Sequence, residues 1–219
     1  MPDRLPRAVV FDMDGLMLDT ERLERDLWRA AAQRHGHDIT GEFNARLVGR
    51  RAVEAEQMLL QHFGAAFPLA AIKADVKVHW NAIAAREGMP RKPGLEELLV
   101  LLERARIPKA VATSTVRAKA LVSLGALADR FQALACGDEV VDGKPAPDIY
   151  LLAARRLGID PQDALALEDS LPGVAAARAA HMPVIMIPDL VAPADPPEFL
   201  CASLAQVAQW LQSCSAAAR

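Results

Sequence analysis

The first clear element is Ala8–Asp12, a short apolar run ending in an acid. That pattern predicts a buried strand. From about Glu21 to Gly88 the periodicity is helical, with almost no strand signal. Leu23, Leu27, Ala30 and Ala31 share one helical face, and Val53, Met58, Leu59 and Leu60 share another. Gly36, Gly49, Gly64 and Gly88 punctuate the stretch, so three or four helices are predicted.

From Pro93 the pattern alternates. Helices are predicted over Leu95–Ala105, Ala118–Leu127, Pro147–Leu157 and Pro172–Ala180. Strands are predicted over Ala110–Thr113, Phe131–Cys136, Ala164–Leu167 and Pro183–Ile187. Ser203-Leu-Ala-Gln206 is a capping-box sequence that opens a last helix, running to about Cys214. Alternating strands and helices predict an α/β fold, a parallel sheet with helices on both faces. The all-helical stretch then reads as an insertion after the first strand. The segment from Asp189 to Pro197 is rich in proline and predicts a surface loop. There are no repeats and no low-complexity segments.

The 219 residues fit one large domain, or one domain with an inserted partner. At 52% hydrophobic and 24% charged, the chain is rich enough in apolar residues to build a packed core. The net charge of -3 argues against a dedicated nucleic-acid binder. No apolar run approaches the ~20 residues that span a bilayer. The apolar stretch from Ala8 to Phe11 is too short for a signal peptide. Cys136, Cys201 and Cys214 are odd in number and far apart, which supports neither a disulfide framework nor a zinc knuckle. A cytoplasmic protein with reduced thiols is the expectation.

Four clusters fall at predicted strand ends, where a parallel sheet places its ligands. In Asp12-Met-Asp-Gly15 the two carboxylates point the same way on extended chain. They suit a hard cation such as Mg²⁺, or they are simply a polar strand end and turn. The spacing excludes an EF-hand. Thr113-Ser-Thr115 suits phosphate oxygens or a helix cap. In Gly143-Lys-Pro-Ala-Pro147 the prolines fix Lys144 in a loop, where it is either solvated or functional. Glu168-Asp169 directly follows an apolar strand, which is unusual unless something cationic faces the acids.

Taken in order, the four clusters resemble the motifs of the haloacid dehalogenase (HAD) superfamily, over nearly the whole chain. The resemblance implies a Rossmannoid catalytic core over residues 1–18 and 91–219, with an inserted all-helical cap over 19–90. It implies Asp12 as nucleophile and Asp14 as general acid and base. Thr113 and Lys144 are implied to hold phosphoryl oxygens, with backbone help at Ser114. Mg²⁺ is implied on Asp12, the Asp14 backbone carbonyl and Asp169, with Glu168 as an outer partner or a water-mediated ligand. Ser170 and Pro172 suit the start of the next helix. Where the family pattern has Gly after that helix, this chain has His181, which must then adopt a left-handed turn.

Gly15-Leu-Met-Leu-Asp-Thr-Glu21 and the helical insertion resemble the β-phosphoglucomutase-like branch. Val48-Gly-Arg-Arg-Ala-Val-Glu-Ala-Glu-Gln57 is similar to the pseudouridine-5′-phosphatase group. Arg50 and Arg51 either contact substrate or form a solvated helix start. The expected activity is a Mg²⁺-dependent phosphatase of small phosphorylated metabolites, either sugar phosphates or nucleotide-like monophosphates. The expected state is a monomer without nucleic-acid or membrane partners.

A phosphomutase is the nearest rival, but the mutase Arg three residues after the cap Gly is Ala52 here. True dehalogenases lack the second acid, Asp14. A phosphonoacetaldehyde-cleaving relative needs a cap Schiff-base Lys, and Lys73 and Lys77 fall late on an apparent helix. A phosphate-binding or signalling module is the non-enzymatic alternative, and the acid pair Asp12 and Asp14 argues against it. Trp28, Trp80 and Trp210 read as packing residues. His35, His37, His62 and His79 form no metal spacing.

Overall fold

The computed structural model describes residues 5–47, 52–86, 88–189 and 199–217. The chain divides into two compact units, Met1–Asp19 with Met89–Arg219, and Thr20–Gly88.

The first unit is built on five parallel strands: β1 (Ala8–Phe11), β2 (Lys109–Ala112), β3 (Ala133–Ala135), β4 (Ala164–Glu168) and β5 (Val184–Met186). Their order in the sheet is β3-β2-β1-β4-β5, with β1 at the centre. The chain steps outward from β1 through β2 to β3, then returns to β1's other side with β4. That reversal opens a crevice at the C-terminal ends of β1, β2 and β4, where an open parallel sheet binds its ligands.

Side chains alternate across each strand. Ala8, Val10, Ala110, Ala112, Ala133, Ala135, Ala164 and Ala166 join one cluster with Ile149, Tyr150, Ala153 and Ala177. The last four lie on two helices, Asp148–Leu157 and Leu171–Ala179, and the many alanines let these helices lie close to the strands. Val9, Phe11, Val111, Leu165 and Leu167 on the opposite face are buried too. Burial on both faces explains why these strands read as continuous apolar runs.

The second unit contains α1 (Thr20–Arg34), α2 (Gly41–Leu47), α3 (Ala52–Phe63) and α4 (Leu69–Arg86). Helix α1 buries Leu27, Ala31 and Ala32, and α4 buries Ile72, Val76 and Trp80. Leu23 and Ala30 are only half-buried. On α3 Leu59 is buried and Met58 half-buried, but Leu60 is exposed. Arg34 donates to Asp75 at 2.8 Å and ties α1 to α4. His37 lies edge-on to Phe63 and Phe67, and His62 stacks on Phe43 at 4.2 Å. Lys73 stands in the first turns of α4 rather than late on a helix, because that helix starts only after Pro68. Its ammonium reaches Glu56 at 2.5 Å.

The remaining helices belong to the first unit: α5 (Leu95–Arg104), α6 (Arg117–Leu124), α7 (Asp148–Leu157), α8 (Leu171–Ala179) and α9 (Leu204–Ala217). Most boundaries differ from the sequence expectation by a residue or two, and α6 and β3 differ with a clear local cause. Helix α6 ends at Leu124, where Gly125 takes φ 51° and a 3-10 segment over Gly125–Arg130 follows. Strand β3 loses both ends. Phe131 closes the 3-10 segment, and the Cys136 N–H goes to the Glu139 side chain instead of a neighbouring strand. The capping pair at α9 is offset: Ser203 Oγ accepts from the Gln206 N–H, while the Gln206 side chain accepts from Ala202. His181 takes φ 57° at the end of α8, the left-handed turn expected of it. Of the expected proline-rich surface loop only Asp189 is described, and its side chain is 3% exposed and accepts from Lys92 at 2.5 Å; the rest of that segment lies outside the described residues.

Candidate active site

Each strand that borders the crevice delivers a polar residue immediately beyond its last apolar one. Asp12 follows β1, and its N–H still bonds to the Leu167 carbonyl at 2.9 Å. Thr113 follows β2, and its N–H bonds to the Ala135 carbonyl at 3.0 Å. Glu168 is the last residue of β4, and Asp169 comes next. These residues therefore continue the sheet's hydrogen bonding and are held as firmly as the strands.

Lys144 arrives from the loop before α7, preceding a cis Lys144–Pro145 bond. Its three ammonium protons have three acceptors: Asp12 Oδ1, Glu168 Oε1 at 2.5 Å and the Ala112 carbonyl at 3.1 Å. Burial works against its charge, but Asp12 and Glu168 outweigh that and hold its pKa above the ordinary lysine value. Burial likewise pushes the Asp12 carboxyl up to about 8, against the opposing pull of Lys144.

Glu168 is fully buried and lies at the centre of the site. Oε1 accepts from Lys144 and, at 2.6 Å, from the Tyr150 hydroxyl. Oε2 accepts from the Asp169 N–H, the Ser170 N–H and the Ser170 hydroxyl, at 3.1 to 3.2 Å. Ser170 also caps α8 by accepting from the Gly173 N–H. Burial, then Glu168 and Asp12, push the Tyr150 phenol well above its usual pKa, so it stays a donor.

Asp14 accepts from the Thr115 hydroxyl at 2.7 Å, and the Thr115 N–H bonds to Thr113 Oγ1 at 3.0 Å. The first two clusters are thus joined by Thr115, whose hydroxyl, expected to suit phosphate oxygens or a helix cap, goes instead to Asp14. Gly15 takes φ 83°, and a Cβ there would meet Asp169 Oδ2 at 2.1 Å. The glycine of the Asp-Met-Asp-Gly cluster is therefore needed for two reasons, its backbone angle and the approach of Asp169. Ser114 is exposed at the same strand end, and its carbonyl abuts Gly137. Arg50 and Arg51 lie outside the described residues.

Asp12, Glu168 and Asp169 each offer a ligand atom within 4.8 Å of the others, a group of three suited to a metal among the described residues. Three carboxylates gathered beside one ammonium leave negative charge in excess; burial first, and Glu168 and Asp14 after it, act to raise the Asp12 pKa. A hard divalent cation such as Mg²⁺ suits an all-oxygen donor set and supplies the missing positive charge. The Asp14 carboxylate is not in the group. The resemblance placed its backbone carbonyl there, not its side chain.

Tyr150 and Gly173 were missed. Tyr150 has a signal, since it is the chain's single tyrosine and stands within an apolar helical face where a hydroxyl needs a partner. Gly173 has one as well, since a glycine in the first turn of a helix often marks a close approach. No described helix is long and apolar enough to cross a membrane.

Residues 6–181 match the model of the haloacid dehalogenase-like hydrolases. A phosphorylated carbohydrates phosphatase of Thermotoga maritima is 35% identical over 79% of this chain and 81% of its own length. A Drosophila melanogaster protein named probable pseudouridine-5′-phosphatase is 34% identical over 82% of this chain and 80% of its own. The crystal structure of CbbY from Rhodobacter sphaeroides, in complex with xylulose-(1,5)bisphosphate, aligns with a TM-score of 0.74 at 30% identity, covering 92% of this chain and 96% of that one. With Asp12, Lys144 and the paired acids gathered at the crevice, and with these relatives, the chain belongs to the haloacid dehalogenase-like hydrolase family and is a phosphoric monoester hydrolase of its β-phosphoglucomutase-like branch.

Proposed function

We propose that the protein hydrolyses small phosphomonoesters, sugar phosphates or nucleotide-like monophosphates, through an aspartyl-phosphate on Asp12 and with Mg²⁺ as cofactor. The observation that carries this reading is the convergence of Asp12, Lys144 and Glu168 in direct contact at the end of the central strand, with Asp169 beside them.

An Asp12 oxygen attacks phosphorus. An O–P bond forms, the ester O–P bond breaks, and Asp14 gives its proton to the departing alcohol. Thr115 orients the Asp14 carboxylate for this transfer. Asp14 then takes a proton from water. The water oxygen bonds to phosphorus, the Asp12–phosphorus bond breaks, and inorganic phosphate leaves. Lys144 neutralises charge on the transferring oxygens, while Thr113 and the Ser114 N–H hold them. Asp12, Asp169 and the Asp14 carbonyl would hold Mg²⁺, which when bound would supply positive charge between nucleophile and phosphate. The helical unit acts as a specificity cap, and at least one of Arg50 and Arg51 contacts the substrate.

The test is phosphate release from hexose and pentose phosphates, pseudouridine 5′-phosphate, flavin mononucleotide and β-glucose 1-phosphate, with Mg²⁺ or with EDTA. Release is expected with Mg²⁺ only, and Asp12→Asn is expected to lose at least about a thousandfold in kcat. Near-normal turnover in that variant would sink the covalent step. Arg51→Ala is expected to raise KM or reorder the substrate panel; identical kinetics on every ester would remove Arg51 from the site.

A further inference from the structure

In the free enzyme Lys144 spends all three of its protons on protein acceptors. To hold a phosphoryl oxygen it must give one up. Of its two carboxylate acceptors, Glu168 is the one better compensated for the loss of the lysine. Its carboxylate has about four lone-pair sites and receives five donors. Oxygen Oε1 serves both Lys144, at 2.5 Å, and the Tyr150 hydroxyl, at 2.6 Å. The Tyr150 ring also lies below the ammonium, with its centroid 5.2 Å from Nζ. The phenol thus touches both the oxygen that Lys144 must leave and the cation that leaves it.

We propose that Tyr150 is a positioning residue that releases Lys144 to the phosphoryl group: its hydroxyl keeps Glu168 Oε1 paired when the ammonium turns to substrate. This rests on the phosphatase reading above, in which the phosphoryl group sits between Asp12 and Lys144. Without the hydroxyl, Glu168 leans on Lys144 alone at that oxygen. Releasing the lysine then strands a buried carboxylate oxygen, a penalty charged to every phosphoryl group the site binds.

Tyr150 is the only tyrosine in the chain, so protein grown on 3-fluorotyrosine carries the label at that position alone. Saturating inorganic phosphate with Mg²⁺ is expected to move the fluorine resonance, because the phenol's hydrogen bond to Glu168 tightens as Lys144 departs. Tyr150→Phe is expected to bind inorganic phosphate about tenfold more weakly by calorimetry and to lose a similar factor in kcat/KM. A tyrosine that merely fills space would lower Tm and leave both quantities alone.

A resonance that stays still while phosphate binds overturns the proposal. So does a folded Tyr150→Phe with wild-type phosphate affinity and kcat/KM. If that variant does not fold, the fluorine measurement on the wild-type sequence decides by itself. A wild-type protein that neither binds phosphate nor hydrolyses any ester with Mg²⁺ overturns the phosphatase reading, and this inference falls with it. Intact hydrolysis with a still resonance removes the role of Tyr150 alone.

Discussion

A Cβ added at Gly173 would stand 1.8 Å from Glu168 Oε1 and 1.9 Å from its carboxyl carbon. No relaxation of a flexible side-chain tip relieves this, because Glu168 is fully buried and bonded at both oxygens. Helix propensity asks for the opposite residue, since Ala is favoured over Gly inside a helix by about 1 kcal/mol. The site geometry dominates. Gly173→Ala is expected to displace Glu168 and with it Lys144, so kcat/KM should fall at least about tenfold in a protein that still folds. Assaying the variant beside its melting curve checks this; a variant more stable and equally active would show that Glu168 can move without consequence.

At the scale of elements, Glu139 ties together segments that the sheet does not connect directly. Its carboxylate receives Arg156 from α7, Arg117 from the start of α6, and the Cys136 N–H beyond β3, all between 2.8 and 3.1 Å. Arg156 first, then Arg117, hold its pKa well below the ordinary value of 4.5. A carboxyl depressed in the folded state stabilises above its unfolded pKa, and that contribution drains away as pH falls towards the folded one. Glu139→Gln is therefore expected to cost about 1–2 kcal/mol at pH 7, with the gap to wild type closing below about pH 4.5. Urea unfolding at pH 7 and pH 3 measures both; a constant gap would deny the ionic link. This clamp was not legible in the sequence, because its partners sit on three elements and spacing along one element cannot pair them. The strands and most helices were legible, since their alternation follows from burial on both sheet faces. Asp12, Thr113 and Asp169 stand out in the sequence as polar residues after apolar strands, and Lys144 as a lysine fixed between Gly143 and two prolines. The contacts of Thr115 with Asp14, of Tyr150 with Glu168 and of Gly173 with Glu168 emerge only once β1, β2 and β4 and the helices beside them are in place.

For the molecule as a whole, the proposed Mg²⁺ at the acidic group would link stability to the cation. Mg²⁺ binding to the folded state is expected to raise Tm in step with concentration, by the equivalent of about 2.7 kcal/mol at a hundred times Kd. The shift should vanish in Asp169→Asn; an unchanged response in that variant would place the ion elsewhere. The sheet order has a different consequence, for the growing chain. Asp12 and Lys144 touch although 132 positions separate them, and β1 needs β2 on one side and β4 on the other. During synthesis Asp12 at the end of β1 is made before its partners on β4. The central strand must wait with one edge unpaired, so a polypeptide stalled before Glu168 carries Asp12 but neither Glu168 nor Asp169. On the proposed mechanism, phosphate-ester cleavage begins only when translation has passed that point.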